Sequence, residues 1–167
     1  MAETTKQYIR RLLDYLGKSD PMKVLAASPG KLDRLVKGLS RAKARKRPGR
    51  GKWSIAEIVA HLADDEIVAG YRLRLIASKN GAKLQVMDEK AWAVGGLYNY
   101  RSVSMSAAQF QALRKTNLEF LKGLTRAQWN NFGRHPEYGK ETIKEIVRHH
   151  AGHDINHLKQ IAAMRKR

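Results

Sequence analysis

The stretch from Lys140 to Met164 cannot fold as an ordinary core helix. Placed at about 100° per residue, Ile143, Ile146, Val147, Ile161 and Met164 fall on one face. His150, Asp154 and His157 fall on that same face, with His153 at its shoulder. Burying such groups costs on the order of 1–3 kcal/mol each unless they find partners. Any fold that buries this stripe must therefore supply partners, and one metal ion can satisfy several at once.

Spacing narrows the choice. His153 and His157 stand at i and i+4, with Cβ atoms roughly 5–6 Å apart, so both imidazoles can reach one ion at about 2.0–2.1 Å. His149 and His153 share that spacing, but His149 and His157 are separated by a rise of about 12 Å. One ion thus takes a neighbouring pair, and His149 lies farther from the apolar stripe. A third nitrogen is offered by His61, in Trp53-Ser54-Ile55-Ala56-Glu57-Ile58-Val59-Ala60-His61-Leu62-Ala63-Asp64-Asp65-Glu66. The helical wheel sets His61 at the edge of its stripe and Glu66 nearer the centre; Asp65 is one turn from His61. Asp65, Glu66, His149, His150 and Asp154 are the candidates to support ligands from behind, to act as a base, or to form ordinary caps and ion pairs. Taken alone, a helical HxxxH also arises by chance on a half-exposed face, and a lone helical histidine is more often structural.

Helical periodicity extends to the rest of the chain. Four main helices are predicted over 4–16, 54–77, 106–121 and 140–164, and no segment shows sustained strand alternation. Ser54 with Glu57 makes a capping box, and Ser106 is read as the cap of the third. Pro21, Pro29 and Gly30 break 21–39 into two short helices, 22–27 and 31–39. Further short helices are expected at 88–94 and 126–131. Each long helix has one stripe to bury, so the expectation is an all-α four-helix bundle, one domain over 1–167, with short extra helices in the connections.

Composition excludes several chemistries. There is no cysteine, hence no disulfide, thiolate site or cysteine nucleophile. No phosphate-cradling glycine loop and no serine nucleophile motif occurs. The N-terminus lacks the apolar core of a signal peptide, and no stretch approaches the roughly 18 apolar residues of a membrane span. A cytoplasmic protein without membrane attachment is expected. The net charge of +18, from 33 Lys and Arg against 15 Asp and Glu, favours nonspecific attraction to polyanions. The densest run, 41–52, reads as a solvated basic loop or a phosphate-binding one.

The two histidine segments carry a resemblance. Trp53–Glu66 and Gly152-His153-Asp154-Ile155-Asn156-His157-Leu158-Lys159-Gln160-Ile161 resemble the DinB/YfiT-like superfamily of metalloenzymes. Weaker matches are Ser28-Pro29-Gly30-Lys31-Leu32, Trp92 and His135-Pro136-Glu137-Tyr138-Gly139. The resemblance implies a four-helix bundle with one divalent metal, zinc or nickel, on His61, His153 and His157. It also implies a homodimer, and a small-molecule substrate that in some members is a thiol. The strong basic charge is a departure from the family pattern.

Three functions compete. A metal-dependent thiol S-transferase or hydrolase is favoured by His61 facing the HxxxH pair. A basic nucleic-acid-associated protein is favoured by the charge, though no recognised nucleic-acid motif accompanies it. A non-catalytic dimeric bundle is the third. No catalytic residue is assignable from the sequence.

Overall fold

The computed structural model describes residues 3–166. In chain order the described residues form α1 (Thr5–Leu16), α2 (Pro21–Val36), α3 (Arg41–Arg45), α4 (Ile55–Ser78), β1 (Ala82–Lys83) and α5 (Glu89–Gly95). A 3-10 turn at Tyr98–Tyr100 follows, then α6 (Val103–Lys122), α7 (Arg126–Trp129), β2 (Phe132–His135), β3 (Gly139–Thr142) and α8 (Ile143–Arg165). The four-helix bundle is closed by α2, α4, α6 and α8: α4 packs on α6, α6 on α2, α2 on α8, and α8 back on α4. The first helix, expected as a bundle member, instead lies along α8.

The long helices begin where side chains can satisfy their first N–H groups. Capping boxes start α1 (Thr4, Gln7), α4 (Ser54, Glu57) and α8 (Thr142, Glu145). Asp20 caps α2 with Pro21 at its first position. The cap of α6 is Ser102, which accepts from the Met105 amide. Ser106, expected to cap, sits one turn inside the helix and is buried. α8 starts three residues later than expected because Gly139–Thr142 is taken up by β3.

The largest departure is α2. The sequence predicts a break at Pro29, yet the helix runs through it. Proline has no N–H to give the carbonyl four residues back, which leaves the Leu25 carbonyl free. Arg114 Nη1 on α6 fills that vacancy at 3.0 Å. The helix ends instead at Val36, with Lys37 as its C-cap ahead of Gly38, whose φ of +68° suits glycine. The basic run is also more ordered than expected of a loop. Its first five residues form α3 with Ala44 buried, Arg45 donates to the Tyr100 carbonyl, and Arg47 pairs with Glu57.

Three short strands add a small sheet that periodicity did not reveal. β1 pairs in parallel with β2, and β2 forms an antiparallel hairpin with β3, His135 opposite Gly139. Strands of two to four residues are too short for alternation to register. Among the described residues no helix is long and apolar enough to cross a membrane.

The core is split. One apolar cluster gathers Leu32, Ile55, Ile58, Leu62, Phe110, Leu158 and Ile161. A second gathers Leu16, Leu25, Leu73, Ile76, Leu121, Ile143 and Val147. The pairing of early α4 with late α8, and late α4 with early α8, makes these helices antiparallel. Between the clusters lies a buried polar layer containing His61, Glu66, Arg114, Asn117 and Asp154.

α1 reaches α8 at Gly152, where a Cβ would lie 2.2 Å from the Leu12 carbonyl oxygen. Gly152→Ala must therefore push two backbones apart. We expect a loss of about 1–3 kcal/mol, read from urea unfolding, with α1 becoming more open to proteolysis. Unchanged stability would contradict this close crossing.

Candidate metal centre

His61 projects from α4 and His153 and His157 from α8, and all three are buried. The Nε2 atoms converge: His61 to His153 is 3.0 Å, and His157 to His153 is 3.0 Å. Separations of this order suit nitrogens that share one ion at about 2.0–2.1 Å. Burial, and then the neighbouring rings, push all three pKa values down, His153 and His157 to about 3. The imidazoles are therefore neutral, the form that binds metal. His157 donates Nδ1–H to Gln160 Oε1 at 3.0 Å, which leaves the Nε2 lone pair facing its neighbours. The Nδ1 atoms of His61 and His153 are buried without hydrogen-bond partners. Trp53 packs against the His61 ring, with centroids 4.9 Å apart. Buried, neutral and converging, this donor set fits a divalent cation.

A charged layer stands behind it. Arg114 reaches Asp154 at 2.5 and 3.1 Å and Glu66 at 2.7 Å. Glu66 also accepts from Asn117 at 3.0 Å and meets His150 Nε2 at 2.5 Å. Arg114 and His150 hold the Glu66 carboxyl far below its ordinary value against the cost of burial. Asp65 and Glu66 outweigh that cost at His150, whose pKa rises to about 9. His150 carries this charge directly beside the cluster, its ring stacked on His153 with centroids 5.9 Å apart.

Comparison with known proteins decides the family. A profile of the DinB superfamily matches residues 25–161. The chain belongs to the DinB superfamily. A relative from Oceanobacillus iheyensis, named as a proposed metal-dependent hydrolase, is 30% identical over 118 residues, 70% of this chain and 67% of that one. YfiT of Bacillus subtilis, named likewise, is 26% identical over 148 residues, 87% of this chain and 83% of its own. The solved structure of YfiT, described as an unusual four-helix bundle, superposes with a TM-score of 0.83 at 22% identity. It covers 99% of this chain and 89% of that one, a likeness of fold.

In this DinB protein the candidate residues divide by position. His61, His153 and His157 come together. Asp65 approaches them from the side: its Oδ2 lies 3.5 Å from His153 Nδ1 and 3.4 Å from His150 Nδ1. Glu66, His150 and Asp154 belong to the charged layer. His149 turns away to Glu141 at 2.7 Å. A cavity of about 110 Å³ opens beside His153, lined also by Asp65, His150, Tyr8, Glu89 and Tyr138.

Sequence reasoning missed Arg114 and Asn117. The signal was available, since Arg114 shares the stripe of Phe110, Asn117 and Leu121, but an arginine there reads as solvent-facing until its acids are known. Gln160 was missed too, and only its place one turn beyond His157 marks it.

Arg114 binds two buried acids, so Arg114→Leu should cost about 3–5 kcal/mol at neutral pH by stranding them. The dependence on pH has a definite sign. Glu66 titrates below its ordinary 4.5 in the native protein, so its contribution is present above that pH and lost as pH falls. In the variant the stranded Glu66 protonates readily, and the gap between the two proteins should narrow from pH 7 towards 4. Chemical unfolding at both pH values checks this; a gap that widens in acid would contradict it.

Proposed function

We propose that this DinB protein holds one divalent cation, zinc or nickel, on His61, His153 and His157. It would act as a metal-dependent hydrolase or thiol transferase on a small molecule in the adjoining cavity. The observation that carries this reading is the convergence of three buried, neutral Nε2 atoms, of which His153 lines that cavity. The names of the relatives agree with it at the level of metal-dependent hydrolysis.

When bound, the cation supplies a Lewis acid that lowers the pKa of water or a thiol. The chain's own residues do the rest. Gln160 fixes the tautomer of His157, and Trp53 fixes the ring plane of His61. Asp65 borders both the cluster and the cavity, so its carboxylate is placed to take a proton from the attacking group. His150, held charged by Asp65 and Glu66, steadies that carboxylate. Tyr8 and Tyr138 line the cavity and limit water.

Calorimetric titration with zinc and nickel, with elemental analysis of untagged protein, tests the ligand set. Wild type should bind one equivalent. His153→Ala and His157→Ala should each lose more affinity than Gln160→Ala, for which about 10–100-fold is expected of an outer partner. Unchanged affinity in both histidine variants would sink the assignment.

The charge supports a second, weaker property. Exposed basic side chains fill 41–52, apart from the half-buried Arg45, and no row of aromatic side chains accompanies them to stack bases. Nucleic acid should bind weakly and without sequence preference, through counterion release. Fluorescence anisotropy with unrelated duplexes at about 50 and 200 mM salt should show a steep fall in affinity, unaltered in His61→Ala. Salt-resistant, sequence-dependent binding would contradict this.

A further inference from the structure

The cavity beside the histidine cluster has a second functional wall, made by Arg72 of α4 and His135 of β2. His135 is buried at the hairpin. Its Nδ1 accepts the backbone N–H groups of Glu137 and Tyr138 at 3.2 and 3.3 Å, and Tyr138 stacks on its ring with centroids 4.3 Å apart. Burial, with Arg72 nearby, lowers its pKa and keeps it neutral. A neutral ring that accepts at Nδ1 carries its proton on Nε2. That Nε2–H lies 3.3 Å from Arg72 Nη2, which is also a donor. Two donors thus stand side by side with no acceptor between them.

Arg72 also donates to the Gln85 carbonyl, but among the described residues it makes no ion pair. Two of the four acids around the cavity are engaged by histidines. Glu141 meets His149 and Asp65 meets His150, burial and neighbouring acids push Glu89 up to about 7, and Glu137 is solvent-exposed. A guanidinium that makes no direct ion pair, beside one N–H, matches a single negative charge shared over two oxygens.

We infer that Arg72 and His135 form an anchor for a carboxylate group of the substrate, held in the same cavity as His153. Seven residues separate Asp65 from Arg72 on α4, a rise of about 10 Å. The anchor therefore holds one end of a small molecule while its other end reaches the cluster. This rests on the function proposed above and adds a substrate class, small carboxylic acids, together with two specificity residues. A phosphate dianion would carry a second negative charge, unmatched among the acids of this wall.

The test uses full-length, chelator-treated protein with 15N-labelled histidine, titrated with acetate at about 150 mM chloride, near physiological ionic strength. Acetate should shift the His135 ring resonances saturably, and acetamide should not. Arg72→Met should weaken the response about tenfold or more, the worth of a charged hydrogen bond. Arg72→Lys should restore part of it, and His61→Ala should keep all of it. An unmoved His135 signal in wild type, an equal response in Arg72→Met, or a stronger response to phosphate or acetamide would overturn the anchor. Zinc titration of the same samples separates the two readings. An acetate response without zinc binding sinks the metal centre alone, and zinc binding without the acetate response sinks the anchor alone.

Discussion

The guanidinium of Arg114 is the point on which the bundle closes. From α6 it binds Glu66 of α4, Asp154 of α8 and the Leu25 carbonyl of α2, so one side chain touches all three other bundle helices. A buried ion pair is weak evidence for net stability, because desolvation offsets much of the attraction. Its contribution here is register. Each helix can slide along an apolar stripe at small cost, but sliding by one residue strands a buried acid or arginine. The Leu25 carbonyl shows the same logic at the backbone. Pro29 frees it, Arg114 takes it, and α2 runs unbroken where its sequence argues for a break.

Register at Arg114 sets the geometry of the histidine cluster. Glu66 lies five residues after His61 on α4, and Asp154 lies between His153 and His157 on α8. Clamping Glu66 and Asp154 to one guanidinium therefore fixes the two helices against each other within about a turn and a half of the three imidazoles. The rings need not be ordered by an ion, since the charged layer orders them first. This is the arrangement expected of a site whose donors are held in advance of ligand. The same layer charges His150, so the cluster is backed by alternating charges and its neutrality is confined to the three converging rings.

The features legible in the sequence are those that repeat within one helix. The stripe of α8, the HxxxH spacing and the capping box of α4 are local, and the structure has each where periodicity placed it. His61 needed the facing helix, and the wheel left it at an edge although it is fully buried. The features that escaped depend on partners distant in sequence. Arg114 is 40 residues from Asp154, and nothing near either announces the pair. The continuity of α2 depends on that same arginine. The hairpin of β2 and β3 contains Gly133 and charged residues in four-residue strands; only pairing, not composition, makes it a strand. The segment His135–Gly139 stood out only as a weak family match, and its place in the cavity wall was not legible for that reason.

The charge of the chain looks different once the interior is known. Among the described residues, Glu57, Asp64, Glu66, Glu141 and Asp154 are buried, whereas Arg114 is the only buried lysine or arginine. The interior thus withdraws acids from a surface already rich in lysine and arginine, and the outer face is more positive than composition alone suggests. Such a surface attracts anions of every kind over roughly a Debye length, about 8 Å at physiological salt. It cannot select among them, because attraction at that range carries no shape. Selection requires donors fixed at short range, and a buried histidine N–H beside Arg72, which makes no ion pair among the described residues, is of that type. With the anchor inferred above, long-range charge and short-range donors would act in sequence: the surface would raise the local concentration of anions, and Arg72 and His135 would choose among them by size and charge.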